Sequence, residues 1–276
     1  MSDRTPRPIT SAQNTLVRDL RRASQQSVVT DDGYCAIEGL HLIEEAIRSG
    51  LRFRDVFFSE SGLARNQKLI PQLSAQTELI LLPDKIFNGA VSTETPQGVA
   101  ALVKLKATDL EGVLAAHNAL ILAAAGVQDP GNFGTMIRSG EAFGATAVIA
   151  TEQTVSALNP KVIRASAGSL FRLPVLKISA SDFVKECHSH GVRVVATSSH
   201  KGTPLDRVQL TEAVAIFIGS EGAGVPKDIL GKVDETIAIP HSPRVESLNA
   251  GIAASILLYE AARQRRIADS NVESAE

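Results

Sequence analysis

The sequence predicts an α/β protein whose larger part is a parallel sheet with helices on both faces, preceded by a small α/β domain. From Ala119 onward, continuous apolar runs alternate with helical patterns, as expected of strands covered on both faces by crossover helices. Residues 1–107 combine helical and strand patterns in a shorter unit. The chain has 276 residues, 44% of them hydrophobic, and a net charge of −2, which is the composition of a globular protein with a sizeable core.

The N-terminal unit begins with a basic helix. Residues 11–24, SAQNTLVRDLRRAS, read as helical, and residues 1–22 carry five arginines against two aspartates, a local balance of +3. The arginines Arg18, Arg21 and Arg22 form either a phosphate-binding surface or an ordinary solvated helix face.

Further elements of this unit follow in order. Residues 39–49 predict a helix with Leu40, Ile43 and Ile47 on one face, ending at Gly50. The segments DVFFS and ELILL predict strands, and TPQGVAALVKL (95–105) predicts another strand after a Pro-Gln-Gly turn. We place the end of this domain at residue 107 and a linker at 108–118.

The second domain, 119–266, is built on apolar runs that predict buried strands: ALILAAA (119–125), TAVIA (146–150), VRVVAT (192–197), AVAIFIG (213–219) and TIAIP (236–240). A final helix is expected to end near Arg266, followed by a flexible polar tail at 267–276.

Polar residues recur just after these strands. In open parallel sheets, ligands bind outside the carboxyl ends of the strands. The loops there contain Arg138, Glu221 and Asn249, which turn chemistry alone does not explain. The sequence therefore predicts a ligand site at this edge of the sheet.

The segment after the first apolar run reads GVQDPGNFGTMIRSGEAFG (126–144). Pro130 and Gly131 predict a turn and Asn132 an N-cap, with Ile137 facing the core and Arg138 on another face. A capped helix with a solvated arginine explains the same residues without any function.

The segment IGSEGAGVP places three glycines around Glu221 directly after a strand. Their spacing fits neither the dinucleotide fingerprint nor a P-loop. The glycines either allow a ligand to approach the backbone closely or form a flexible turn before the next helix.

The segment VESLNAGIAA opens the last helix. Ser247 is predicted to cap it, and Leu248, Ile252, Ile256 and Tyr259 to form an inward-facing stripe. Small residues at the start of this helix indicate that another backbone or a ligand lies close.

Two cysteines and scattered histidines give no pattern for a disulfide framework or a metal site, so no metal is expected. The polar N-terminus lacks the apolar region of a secretory signal, and no uncharged apolar run is long enough to span a bilayer. The prediction is a cytoplasmic protein with no membrane partner.

Three of these blocks occur in one order: QDPGNFGTMIRSGEAFG, IGSEGAGVP and IPHSPRVESLNAGIAA. Together they resemble the three motifs of the SpoU/TrmH family of RNA ribose 2′-O-methyltransferases. The segment NPKVIRASAGSLFRLPV is similar to a further family segment, and ITSAQNTLVRDLRR, AIEGLHLIEEAIRSG and TPQGVAAL resemble the substrate-binding domain of many members. The third motif departs from the usual pattern at His241 and Pro243, and Phe133 replaces a commoner leucine.

The resemblance implies a fold, a cofactor and site residues. The fold is a parallel sheet with a C-terminal trefoil knot, preceded by a ribosomal-protein-L30e-like domain. The cofactor is S-adenosylmethionine, and the residues that match the family's cofactor loops are Thr197, Ser198, Gly219, Ile239 and Leu248.

The residues that match the family's catalytic positions are Asn132, Arg138, Glu221, Ser247 and Asn249. In relatives the matching arginine has been proposed as the base. A guanidinium stays protonated in proteins, so a clamp on the target phosphate is the simpler role for Arg138. Glu221 would orient Arg138 or accept the proton through water.

RNA, ribosomal or transfer, is the implied partner, with Arg18, Arg21 and Arg22 as candidate phosphate contacts. The resemblance also implies a homodimer through helix 247–266. Two other functions stay open: a catalytically silent RNA-binding or ribosome-assembly factor, and a nucleotide-dependent oxidoreductase, against which the missing dinucleotide fingerprint argues.

Overall fold

The computed structural model describes residues 4–199 and 201–273. Its strands are β1 (Arg7–Pro8), β2 (Cys35–Glu38), β3 (Arg52–Ser59), β4 (Glu78–Leu82), β5 (Val99–Lys104), β6 (Leu120–Ala125), β7 (Ala147–Ala150), β8 (Val175–Lys177), β9 (Arg193–Thr197), β10 (Thr203–Pro204), β11 (Val214–Gly219) and β12 (Glu235–Ala238).

Its helices are α1 (Thr15–Gln26), α2 (Leu40–Arg48), α3 (Glu60–Asn66), α4 (Asp84–Asn88), α5 (Leu110–Leu114), α6 (Pro130–Ala142), α7 (Pro160–Ala165), α8 (Ala180–Ser189), α9 (Lys227–Leu230) and α10 (Ala250–Glu273). None of the described helices has the length and apolarity needed to cross a membrane.

The chain forms two compact units, of which the first comprises Met1–Lys106 and Leu158–Phe171. Its mixed sheet has the strand order β1-β4-β3-β5-β2. Helix α1 contributes Val17 and Leu20 to a buried cluster on this sheet with Phe57 and Phe87. Asn14 caps α1 by accepting a hydrogen bond from the backbone nitrogen of Leu16 (3.0 Å).

Helix α2 differs from the prediction in the face that it buries. Ile43 is buried as expected, but Leu40 and Ile47 are only partly covered, and Leu42 and Ala46 complete the buried face. The buried face is rotated relative to the predicted one, because the apolar residues of this helix extend around more than one face.

Segment 158–171 was assigned to the second domain from the sequence, whereas its contacts group it with the first unit. Helix α7 packs against β2 in that unit. After α7 the chain turns sharply at Ala167 and Gly168, whose φ angles are 50° and 92°. Such a turn needs residues without bulky side chains.

The second unit comprises Ala107–Ala157 and Arg172–Glu276, and its sheet has the order β10-β12-β9-β11-β6-β7-β8. Every pairing in this sheet is parallel. The five predicted apolar runs form β6, β7, β9, β11 and β12. The edge strands β8 and β10 were not predicted, because they are short and lack an apolar run.

Both faces of this sheet are covered by helices. On one face, Phe183 of α8 and Ile229 of α9 join a buried cluster with Phe217 of β11. On the other, α6 lies so close that a Cβ at Gly140 would come 3.4 Å from the Val148 side chain of β7. The predicted α/β class with a two-sided parallel sheet is confirmed.

Two predicted irregular segments are helical. The proposed linker 108–118 contains α5, whose Val113 and Leu114 are buried in the core of the second unit. The proposed tail 267–276 is helical through Glu273, and residues 274–276 lie outside the described part of the chain. No glycine or proline interrupts α10 after Gly251, so polarity alone gave the wrong end point.

Candidate active site

The site lies where β6 and β11 end. These strands are neighbours, and Gly219 at the end of β11 pairs in register with Ala125 at the end of β6. The loop after β6 leads into α6, which carries Asn132, and the loop after β11 carries Glu221. Strand adjacency therefore brings together two motifs that are far apart in sequence.

Asn132 was predicted to cap α6, but the cap is Asp129. Its carboxylate accepts a hydrogen bond from the backbone nitrogen of Asn132 (2.7 Å), and Pro130 occupies the first helical position. An Asp-Pro pair is itself a start signal for a helix, with Asp as the cap and Pro at the first helical position. Asn132 thus lies in the first turn of α6 with its side chain free for other contacts.

Asn132, Glu221 and Asn249 form a closed hydrogen-bond triangle. Asn132 Nδ2 donates to Glu221 Oε1 (2.7 Å), and Asn249 Nδ2 donates both to Glu221 Oε1 and to Asn132 Oδ1 (2.8 Å each). The arrangement fixes the carboxylate with two amide donors on one oxygen. Glu221 Oε2 accepts no hydrogen bond from the described residues.

Asn249 also begins the last helix. Its Oδ1 accepts a hydrogen bond from the backbone nitrogen of Ile252 (3.1 Å), so Asn249 and not Ser247 is the N-cap of α10. The Ser247 hydroxyl makes no hydrogen bond within the described part of the chain and lines a cavity instead. One side chain therefore both caps α10 and holds Glu221.

The predicted stripe of α10 faces outward. Ile252 and Tyr259 are 54% and 50% exposed, and Ile256 is 36% exposed. The buried face consists of Ala250, Ala254, Leu257, Leu258 and Ala261. The helix carries two apolar stripes, and the one with small residues packs inward because it lets α10 approach α6 closely.

Contacts along the α6–α10 seam show this closeness. A Cβ at Gly251 would come 3.1 Å from the Thr135 side chain. One turn further, the hydroxyls of Ser139 and Ser255 lie 2.7 Å apart. The seam fixes the position of Asn249 relative to Asn132.

Arg138 lies apart from this triangle. It is exposed on α6, and it makes no hydrogen bond or ion pair within the described residues. Glu221, predicted to orient Arg138, contacts Asn132 and Asn249 instead. Six positions along a helix separate Arg138 from Asn132, which places the two side chains about 9 Å apart along its axis.

A cavity of about 280 Å³ opens beside the triangle, at the ends of β9, β11 and β12. All five residues predicted for the cofactor line it, together with Glu221, Ser247 and His241. His241, a departure from the family pattern, donates from Nδ1 to the carbonyl of Ile239 (2.7 Å). From the sequence, His241 was noted only as a departure within the third motif, and the structure places it in this wall.

Backbone forms one wall of the cavity. A Cβ at Gly219 would lie 2.0 Å from the carbonyl carbon of Gly224, so only glycine fits there. The loop between them is closed by a hydrogen bond from the Gly224 nitrogen to the Ser220 carbonyl (2.9 Å). The glycines of IGSEGAGVP thus form a compact turn against β11.

The three arginines predicted to contact RNA differ in their surroundings. Arg21 donates to the carbonyl of Gly89 (3.1 Å), and Arg22 pairs with Asp31 (3.0 Å). The Arg18 side chain is exposed and has no partner among the described residues. Among these residues there is also no group of three or more side chains suited to hold a metal ion.

Comparison with known proteins identifies two family domains. Residues 119–259 match the SpoU rRNA Methylase family, and residues 36–108 match the RNA 2′-O ribose methyltransferase substrate binding domain.

Similar proteins match almost the full chain. The 23S rRNA (guanosine(2553)-2′-O)-methyltransferase RlmP of Bacillus subtilis is 34% identical, over 91% of this chain and 97% of the relative. The 23S rRNA (uridine(2479)-2′-O)-methyltransferase of Streptomyces viridochromogenes is 28% identical, over 95% of each.

A solved structure has a similar fold. The AdoMet-bound rRNA methyltransferase of Sinorhizobium meliloti superposes with a TM-score of 0.80 at 27% identity, covering 93% of this chain and 97% of that one. The family assignment agrees with the matched motifs, the parallel sheet and the site at its carboxyl edge. The chain belongs to the SpoU rRNA methylase family.

Proposed function

We propose that the protein transfers a methyl group from S-adenosylmethionine to the 2′-hydroxyl of a ribose in ribosomal or transfer RNA. The observation that carries the proposal is the triangle of Asn132, Glu221 and Asn249, because its Glu221 lines the cavity that every predicted cofactor residue also lines. Ribosomal RNA is the favoured class, because the two relatives compared above are named for 23S rRNA.

The cavity suits S-adenosylmethionine in its chemistry. Its wall combines apolar side chains such as Ile239 and Leu248 with hydroxyls such as Thr197, Ser198 and Ser247, a combination that suits an adenosine. Glu221 is the only Asp, Glu, Lys or Arg side chain among the described lining residues. A lone carboxylate favours a ligand with a sulfonium charge.

When bound, S-adenosylmethionine supplies an electrophilic methyl group. The protein's task is to align the ribose oxygen with that methyl and to help the hydroxyl proton leave. Asn132 and Asn249 occupy Glu221 Oε1, and this leaves Oε2 to accept the proton, directly or through water. Ser247, which lines the cavity, would contact the cofactor or the target nucleotide.

Arg138 is proposed as an electrostatic clamp on the target phosphate. Its exposure and its lack of partners among the described residues leave all its donors available. A guanidinium can bind phosphate through two parallel hydrogen bonds. The Arg18 side chain is likewise available to contact an RNA phosphate. Arg21 and Arg22 would first have to give up their contacts with Gly89 and Asp31.

The family also implies features of assembly and fold. We propose a homodimer through α10, supported by the exposed apolar residues Ile252, Ile256 and Tyr259. We propose a trefoil knot in the second domain; the close passage of backbone at Gly202, where a Cβ would lie 2.3 Å from the Thr236 carbonyl oxygen, is compatible with it.

The family resemblance also implies a separate role for each domain. We propose an RNA-binding, ribosomal-protein-L30e-like domain near residues 1–107 and a methyltransferase domain from residue 119, which the matched ranges 36–108 and 119–259 support. A cytoplasmic location stays a prediction.

The test is transfer of labelled methyl groups from S-adenosylmethionine to unmodified ribosomal and transfer RNA, followed by alkaline hydrolysis. Label in alkali-resistant dinucleotides from one pool would establish ribose methylation and name the RNA class. Binding of RNA without any binding of S-adenosylmethionine would instead favour a silent RNA-binding factor.

A further inference from the structure

A second cavity, of about 370 Å³, is lined in part by the loop that carries Glu221. It shares the lining residues 220–224 and Ala250 with the cavity proposed for the cofactor. Asn132 and Glu221 both line it. The carboxylate proposed to accept the ribose proton therefore borders both spaces, and the second cavity is where the target nucleotide would lie.

Gln128 and Gln153 line this cavity as well. Both are exposed, and neither side chain makes a hydrogen bond within the described part of the chain. They come from different loops, Gln128 from the one after β6 and Gln153 from the one after β7. The second cavity is therefore bordered by two side-chain amides that make no hydrogen bond within the described part of the chain.

The Gln153 loop is held firmly in place. The Thr154 hydroxyl donates to the Ala124 carbonyl (2.8 Å) and accepts from the Gly126 nitrogen (3.1 Å), and the Val155 nitrogen donates to the Val127 carbonyl (2.9 Å). Gln153 itself has a φ of 61°, a conformation that only a few per cent of non-glycine residues adopt. The clamped backbone fixes where the Gln153 side chain begins.

Charge shows which part of a nucleotide fits here. The described lining residues include no Lys, Arg or His, and the carboxylates of Asp129 and Glu221 are both present. Such a surface disfavours phosphate and suits the neutral base and sugar. A glutamine amide presents a donor beside an acceptor, and this pair can match the edge of an unstacked base.

We propose that Gln128 and Gln153 read the base of the nucleotide whose ribose is methylated. The inference rests on the proposed function and adds the determinants of nucleotide choice. Family membership leaves the base open, since one relative is named for a guanosine and another for a uridine.

The experiment compares the wild-type protein with Gln128→Ala and Gln153→Gly, the latter because glycine adopts this φ without strain. The RNA that the wild-type protein labels, among 23S, 16S and transfer RNA transcripts, is digested to identify the labelled nucleoside. Transcripts with each of the other three bases at that position are then assayed. Gln209→Ala, an exposed glutamine absent from the cavity lining, is the control.

We expect each variant to lower kcat/KM on the native transcript about 10- to 100-fold, as for loss of a base-reading amide. Rates on base-substituted transcripts should stay close to those of the wild type, so selectivity falls. Equal losses on all transcripts, or no loss on any, would overturn the inference while leaving the methyltransferase function intact. A wild-type protein that labels no RNA would overturn the proposed function and this inference together.

Discussion

Asn132 Nδ2 lies 2.7 Å from Glu221 Oε1, although 89 positions separate the two residues. The contact exists because β6 and β11 are adjacent and end at the same edge of the sheet. Asn249 closes the triangle from the start of α10. Three motifs therefore converge on a single carboxylate oxygen.

Asn132→Ala should lower kcat about 10- to 150-fold, because a hydrogen bond to a charged group contributes roughly 1.5–3 kcal/mol. Asn132→Asp should lower it further, since it sets a second carboxylate beside Glu221. Affinity for S-adenosylmethionine, measured by calorimetry, should change little in Asn132→Ala. Full activity in Asn132→Asp would contradict the proposed role of the triangle.

Gly219 and Gly231 form a matched pair for testing the cofactor cavity. A Cβ at Gly219 would lie 2.0 Å from the Gly224 backbone, whereas a Cβ at Gly231, which is not among the described residues lining this cavity, would lie at an ordinary 3.8 Å from the Lys227 carbonyl oxygen. Gly219→Ala should abolish measurable binding of S-adenosylmethionine or lower the melting temperature by several degrees, because backbone must move. Gly231→Ala should leave both measurements unchanged, and a similar defect in the two variants would refute this account.

The exposed stripe of α10 makes the dimer testable. Ile252→Glu should shift the mass in light scattering from dimer to monomer, because it places a charge in an apolar interface. Val29→Glu is the control, since Val29 is 43% exposed and belongs to the first unit. A wild-type protein that is monomeric at micromolar concentration would disprove the proposed interface.

The two cysteines should be unreactive in the native protein. Burial raises the pKa of both Cys35 and Cys187 to about 12, with nearby Asp234 adding to the effect at Cys187. At pH 8 only about one thiol in 10⁴ would then be ionised, against roughly a quarter in an unfolded chain. Because burial raises the folded pKa, the contribution of the two buried thiols to the free energy of unfolding is fully present below about pH 8.5. It is lost as pH rises further.

Ellman's reagent at pH 8 should therefore modify neither thiol in the native protein and both in concentrated guanidinium chloride. Rapid labelling of one thiol under native conditions would show that its surroundings open readily.

The strands of the second unit could be predicted because a strand buried on both faces leaves an uninterrupted apolar run. All six residues of β6, for example, are buried. Edge strands such as β8 leave no such run, since they are short and only partly covered. Strand order is set by packing between distant segments, so the pairing of β6 with β11 could not be read from local patterns.

Helix α10 shows why the side that a helix buries was harder to predict than its existence. Its sequence carries a stripe of large apolar residues and a stripe of small ones. Only the position of α6 decides which stripe faces inward, because a Cβ at Gly251 would come 3.1 Å from the Thr135 side chain of α6. The role of Asn249 as cap was hidden for the same reason, because Ser247 is an equally good capping residue by type.

Variants at Arg138 test whether this residue clamps the target phosphate or acts as the base. As an exposed residue without partners among the described residues, it can be replaced at little cost in stability. Arg138→Lys keeps the charge but loses the two-pronged geometry, so a clamp predicts weaker RNA binding and about 10-fold lower kcat/KM. Arg138→Ala should lower kcat/KM further, and the affinity for S-adenosylmethionine should not change in either variant.

Arg207→Ala, another exposed arginine of the second unit, should behave as the wild type. Filter binding of RNA and single-turnover methyl transfer separate the two roles of Arg138. If Arg138→Lys bound RNA and S-adenosylmethionine normally and yet transferred no methyl group, a clamp would be too weak an explanation. The proton would then have to pass through the guanidinium itself, and Glu221 would lose its assigned part as acceptor.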